Sequence, residues 1–186
     1  MASDFKIDSL SVEELEGIFT GKIKNWKDVG GPEAAIHLYI RDPISGTHLG
    51  FRELALENKP YALGPKAFTN YQQLVHGVAA DPNGIGYASL DAAQKGGVKV
   101  VSISGVAPTT QTVNDGQYPY ARLLRFYSNK MKEAPAARAF IEFAQSRRGQ
   151  EIVASAGDVP AGRQLRAGGL QSRGTRPNPT RSLFRS

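Results

Sequence analysis

"AIHLYIRDPISGTHLGFRELALE" (Ala35–Glu57) is a short β-rich run followed, across six residues, by a helical one. Ile40 closes the predicted strand and Thr47 opens the predicted helix, so Arg41–Gly46 is a strand-to-helix loop. Outward from this stretch the same alternation recurs. Upstream, Ser11–Phe19 ("SVEELEGIF") predicts a helix: Ser11 stands at its N-cap, Glu14 completes a capping box, and Val12, Leu15, Ile18 and Phe19 share one face. Gly21 is its predicted C-cap, and "NWKDVGGPEA" is a loop broken by Gly30, Gly31 and Pro32. Downstream, Tyr71–Ala80 reads as a helix and Asp81–Gly84 as a turn. "IGYASL" (Ile85–Leu90) and "VKVVSI" (Val98–Ile103) read as strands, and "YARLLRFYS" (120–128) is apolar enough for another. Pro135–Ser146 predicts an amphipathic helix with Ala139, Phe140 and Phe143 inward, and Gly149–Ala156 a further helical stretch. Strands separated by helices imply an α/β fold with a largely parallel sheet. There is no internal repeat.

The residue types in the central loop point to one chemistry. Loops at the carboxyl ends of strands in α/β sheets are where ligands bind. A helix N-terminus presents unpaired backbone N–H groups and a partial positive charge, which suits an anion. Gly46 has no Cβ, so a ligand can approach the backbone closely. Ser45 and Thr47 add hydroxyl donors, and Arg41 can give a bidentate, charge-assisted pair to an oxyanion. Together they form a donor-only site for a tetrahedral oxyanion such as phosphate, with Asp42 or another acid holding Arg41 in place. The bland alternative is that Ser45 and Thr47 do no more than cap a helix.

Composition bounds the rest. The chain has 186 residues, 40% hydrophobic and 22% charged, which is a globular balance, and no cysteine, which excludes disulfide and thiolate chemistry. No apolar run reaches membrane-spanning length, and "MASDFKIDSL" lacks the pattern of a signal peptide. The net charge of +6 is unevenly placed. Residues 161–186 hold six arginines (Arg163, Arg166, Arg173, Arg176, Arg181, Arg185) and no acid, so residues 1–160 are formally neutral. The expected organisation is a domain over 1–160 and a disordered basic tail over 161–186. Dispersed arginines without interleaved aromatics fit weak, salt-sensitive contact with anionic partners and no specific nucleic-acid readout.

Other chemistries find little support. His37, His48 and His76 lack metal-ligand spacing, although His48 adjoins the loop and can add a donor there. Asp4, Glu13, Glu14 and Glu16 read as a lead-in and a solvated helix face. There is no G-x-S-x-G elbow and no phosphate-cradling G-x-x-x-x-G-K-[ST] loop, and Ser45 has no assigned base, so no catalytic residue, metal or cofactor is expected. Trp26 is expected to pack in the loop after the first helix.

Several blocks, in order, carry a resemblance: "LSVEELEGIFTGKIKNWKDVGG", "RDPISGT", "NGIGYASL", "GQYPYARLLRFYS" and "GQEIVASAGDVP". Over roughly Asp8–Pro160 the chain resembles the C-terminal two-thirds of the phosphate-binding proteins of bacterial phosphate ABC transporters. The resemblance implies the type II periplasmic binding protein-like fold, here as the second lobe plus the C-terminal part of the first. It implies non-catalytic binding of phosphate or a similar oxyanion, a membrane permease as partner, and a periplasmic or extracellular location. The family's phosphate contacts fall on Arg41, Ser45, Gly46 and Thr47. Two residues depart from the family loop: Ile44 replaces a common glycine, and Pro43 fills a position often small or acidic. The family's first lobe supplies further hydroxyls and a proton-accepting aspartate, for which nothing before Asp8 is a counterpart; "YPYARLLRFY" is expected near the crossover between lobes. The alternative is an interaction protein, or a fragment without the binding activity, whose basic tail contacts anionic partners.

Overall fold

The computed structural model describes Met1, residues 6–129 and residues 131–161; the basic tail, Ala161 aside, lies outside them. In chain order the elements are β1 (Ser9–Leu10), α1 (Val12–Thr20), a 3-10 turn at Trp26–Val29, β2 (His37–Arg41) and α2 (Gly46–Ala55). Then come β3 (Lys66–Phe68), α3 (Tyr71–Ala79), β4 (Gly84–Gly86), α4 (Leu90–Lys95) and β5 (Ser102–Ile103). The chain continues with α5 (Thr110–Asn114), α6 (Pro135–Gln145) and α7 (Arg147–Ser155).

Two parallel assemblies organise the body. The main sheet runs β3-β2-β4, with Ile40 level with Ala67 on one side and Leu38 level with Ile85 on the other. A smaller pair joins β1 to β5. Because α2, α3 and α4 each follow a strand of this parallel sheet, their N-termini lie at its carboxyl edge. The α1 cap is the one the sequence specifies: the Glu14 amide donates to Ser11 Oγ at 3.0 Å, and the Ser11 amide donates to Glu14 Oε2 at 2.7 Å. Gly21 closes the helix at φ 79°, a conformation that favours glycine.

The core lies between α1, α2 and the sheet. Phe19 and Trp26 are fully buried, and the Trp26 indole N–H donates to the Asn83 carbonyl at 3.1 Å. Phe51 of α2 meets Phe19 edge-on at 4.9 Å and stacks on Tyr87 at 4.1 Å between centroids. Burying such a ring contributes roughly 1.5–3 kcal/mol, and this triplet fixes α2 against the end of β4. Gly86 lets α3 press onto the sheet. A Cβ there would meet Leu74 Cδ2 at 2.8 Å and the Tyr39 carbonyl oxygen at 2.9 Å.

Several sequence expectations need correction. β4 ends at Gly86, and Ser89 caps α4 where "IGYASL" predicted strand to Leu90. Of "VKVVSI" only Ser102–Ile103 pairs. Residues 121–129 form no strand and are exposed, because no neighbouring strand offers them a ladder. α5, short and polar, gave no apolar period to read. Phe140 and Phe143 do not point into the core: they are 58% and 48% exposed, and Phe140 meets only Phe126 edge-on among the described rings.

Candidate functional site

The three strand-to-helix loops of the main sheet open on one edge. Ser45 caps α2 by accepting the Thr47 amide at 3.2 Å, Asn70 caps α3 by accepting that of Gln73 at 2.9 Å, and Ser89 caps α4. Neither α2 nor α3 carries an acidic residue in its first turn, whereas α4 has Asp91, so the positive end of α2 is uncompensated by its own side chains.

Arg41, the last residue of β2, is held twice over. Its side chain is only 14% exposed. Nε–H donates to the Phe68 carbonyl at 3.2 Å and Nη2–H to that of Thr69 at 2.8 Å, while the guanidinium lies 4.6 Å from the centre of the Tyr71 ring. Asp42 makes a looser approach to Nη2 at 3.9 Å, and its buried Oδ1 has no hydrogen-bond partner among the described residues. The expected acid therefore does little of the orienting; backbone carbonyls of the β3–α3 loop do most of it. The Nη1 end has no protein acceptor among the described residues and keeps its two N–H groups for something else.

The Arg41 backbone is locked by a closed circuit. Its N–H donates to Tyr87 Oη at 3.3 Å. Tyr61 has one hydroxyl proton, which goes to the His48 carbonyl at 3.0 Å, so Tyr87 must be the donor in the 3.1 Å Tyr61–Tyr87 contact. His48 Nδ1–H returns to the Arg41 carbonyl at 2.9 Å, which requires the Nδ1-protonated ring. Four residues thus satisfy one another in a directed loop, an arrangement in which each bond polarises the next. Burial raises the phenols of both Tyr61 and Tyr87. Both stay neutral at physiological pH and place no negative charge beside the loop.

The remaining predicted residues line the same mouth. Ser45 and Thr47 are half-buried and Gly46 is exposed. Thr47 Oγ1 is hydrogen-bonded to Tyr71 Oη. His48 turns inward at 7% exposure, so its part is to pin Arg41 and not to face the mouth. Ile44 is 93% exposed and does not crowd the loop. Sequence reasoning missed Tyr61, Tyr71 and Tyr87, because their pairing with Arg41 and Thr47 is set by the fold and leaves no local spacing. It also missed Arg122, whose Nη1–H donates to the Gly46 carbonyl at 2.7 Å from 76 residues away.

Chemically the mouth offers donors: the Ser45 hydroxyl, the one proton that the Thr47–Tyr71 pair leaves over, helix amides and an arginine with a free end. Among the described residues no group of three or more His, Asp or Glu is placed to hold a metal, and none of the helices is long and apolar enough to cross a membrane.

Known proteins share this framework. A family model described as a PBP superfamily domain matches residues 2–148. The chain is 31% identical over 165 residues to the phosphate-binding protein PstS of Borreliella burgdorferi, covering 83% of this chain and 59% of that protein. It is 34% identical over 159 residues to PstS of Bacillus subtilis, covering 84% and 52%. It therefore spans about half to three-fifths of these relatives. Among solved structures, PstS from Borrelia burgdorferi matches at 26% identity with a TM-score of 0.69, over 87% of this chain and 67% of that one. A phosphate ABC transporter substrate-binding protein of Clostridium perfringens, solved with bound phosphate, matches at 25% identity and TM-score 0.70, over the same shares.

Proposed function

Since the chain belongs to the PBP superfamily, with an α/β fold that matches type II periplasmic binding protein structures over part of their length, we propose that its β2–α2 loop is one face of a phosphate-binding site. Arg41 supplies the charge through its Nη1 end, Ser45 and Thr47 supply hydroxyl donors, and Gly46 leaves room for an oxyanion against the first helical turn. The observation that carries this reading is the state of Arg41. A guanidinium that is pinned at Nε and Nη2, backed by an aromatic ring and left unspent at Nη1 is preorganised for an acceptor that the protein does not itself provide.

The whole activity follows on the same footing. The chain acts as the binding component of a phosphate ABC transporter, capturing its ligand without chemical change and presenting it to a membrane permease from the periplasmic or extracellular side. Residues 1–160 act as one periplasmic binding protein-like domain, and 161–186 as a basic tail. The relatives' additional length provides a second lobe that closes over the anion, as hinged binding proteins do.

Phosphate titration by calorimetry tests the reading, on this chain and on a fusion to the first lobe of Bacillus subtilis PstS. Arg41→Ala removes a charge-assisted contact worth roughly 1.5–3 kcal/mol, a loss of about ten- to more than a hundredfold in affinity. Thr47→Val removes a neutral donor and costs about 1 kcal/mol. The fusion should bind more tightly than the chain alone. A fusion that binds phosphate equally well with and without Arg41 leaves the loop as nothing more than a helix cap.

A further inference from the structure

The crossover segment that follows Tyr120 carries a residue to the α2 turn that the anion reading does not use. Arg122 Nη1–H donates to the Gly46 carbonyl, while its Nε–H and Nη2–H groups have no acceptor among the described residues. The side chain lies along a strip made by two glycines one helical turn apart. A Cβ on Gly46 would stand 3.5 Å from Nη2 and 3.6 Å from Nη1. A Cβ on Gly50 would stand 3.1 Å from both Cδ and Nη1, and its three nearest neighbours would all belong to Arg122. A Cβ at 50 makes this arginine give by a few tenths of an ångström, and bulkier side chains there move it further from its place on the helix.

The helix dipole does not favour that placement. Cations belong near helix C-termini, and here a second guanidinium sits on the first turn of a helix that has no acid in that turn. Arg41 already lies at the same loop. Asp42, 3.9 Å from Arg41 Nη2, offsets part of the Arg41 charge, whereas the exposed Arg122 guanidinium has no ion pair among the described residues and is available to an anion at the mouth. We propose that Arg122 is a positioning and charge-supplying residue of the anion site, carried to it by the crossover segment and seated by Gly46 and Gly50. This rests on the phosphate reading of the β2–α2 loop. It makes the segment between the α2 face and α6 responsive to the anion, because the guanidinium is shared between the Gly46 carbonyl and whatever negative charge occupies the mouth.

The test is a titration of the full chain with inorganic phosphate, followed by the NMR amide shifts of residues 45–50, which reads affinities as weak as millimolar. Thermal melts of the unliganded proteins run in parallel. Arg122→Gln should weaken binding about tenfold, the loss expected of one charge-assisted contact, and Arg122→Lys should recover part of it. Gly50→Ala gives the discriminating result. It replaces a helical glycine by the best helix former, so the melting temperature should rise, yet phosphate should bind several-fold more weakly because Arg122 is displaced. A purely structural role would move both readouts together. If Arg122→Gln and Gly50→Ala bind phosphate like the parent while Arg41→Ala does not, the assignment of Arg122 is wrong and the anion site stands. If neither the parent nor its fusion to the Bacillus subtilis PstS first lobe shows a phosphate-dependent shift at 45–50, both fall.

Discussion

At the residue scale, the protein spends most of its polar order on one arginine. Tyr61→Phe opens the Arg41–Tyr87–Tyr61–His48 circuit and leaves the Tyr87 proton without its partner. The expected cost is about 1–3 kcal/mol in a denaturant titration, with phosphate affinity falling as Arg41 loosens. A second polar cluster sits at the opposite edge of the sheet, where Asp81 takes the Tyr39 hydroxyl at 2.8 Å and His37 Nδ1 at 2.7 Å. Burial pushes the Asp81 carboxyl up, but the Asn83 amide, His37 and Tyr39 outweigh it and hold the carboxyl below its ordinary value. A depressed folded value means that the ionised group stabilises the fold above the ordinary carboxylate range. That stabilisation is lost as pH falls through the depressed value, below about pH 5. Asp81→Asn should therefore flatten the acid limb of the stability curve and leave phosphate binding unchanged. Arg41, Ser45, Gly46 and Thr47 could be named from the sequence because their chemistry is packed into seven consecutive positions. The carbonyls of Phe68 and Thr69, the ring of Tyr71 and the hydroxyl of Tyr87 could not, since each meets Arg41 from 27 to 46 residues away.

At the element scale, caps were legible and short strands were not. Ser11, Glu14 and Gly21 bracket α1 as read, because a cap is a local hydrogen bond between residues three or four apart. A strand is defined by its neighbours, so "YARLLRFYS" has the composition of a strand and no ladder to join. Ser45→Ala should cost about 1 kcal/mol through the lost α2 cap, measured by thermal unfolding. Gly86→Ala should cost more, about 1–3 kcal/mol, because the added methyl meets a backbone carbonyl of the neighbouring strand that cannot retreat. Its effect should appear in stability and not in the ligand affinity of the protein that remains folded.

At the scale of the whole molecule, two features act together. One is a set of uncovered apolar residues before and within α6: Leu124, Phe126, Tyr127, Met131 and Phe140 are each more than half exposed. The other is the neutrality of residues 1–160 beside six arginines in 161–186. A formally neutral body with a sticky flank has no long-range repulsion to keep copies apart, and near zero net charge proteins associate. The tail then acts as a colloidal stabiliser whatever else it touches. Deleting residues 161–186 should turn the osmotic second virial coefficient, read by static light scattering near neutral pH, from repulsive to attractive. Added salt should do the same to the intact chain by screening the arginines over a Debye length of about 10 Å at 0.1 M. Replacing Phe126 and Tyr127 by serine should restore repulsion to the shortened chain by removing the adhesive surface itself.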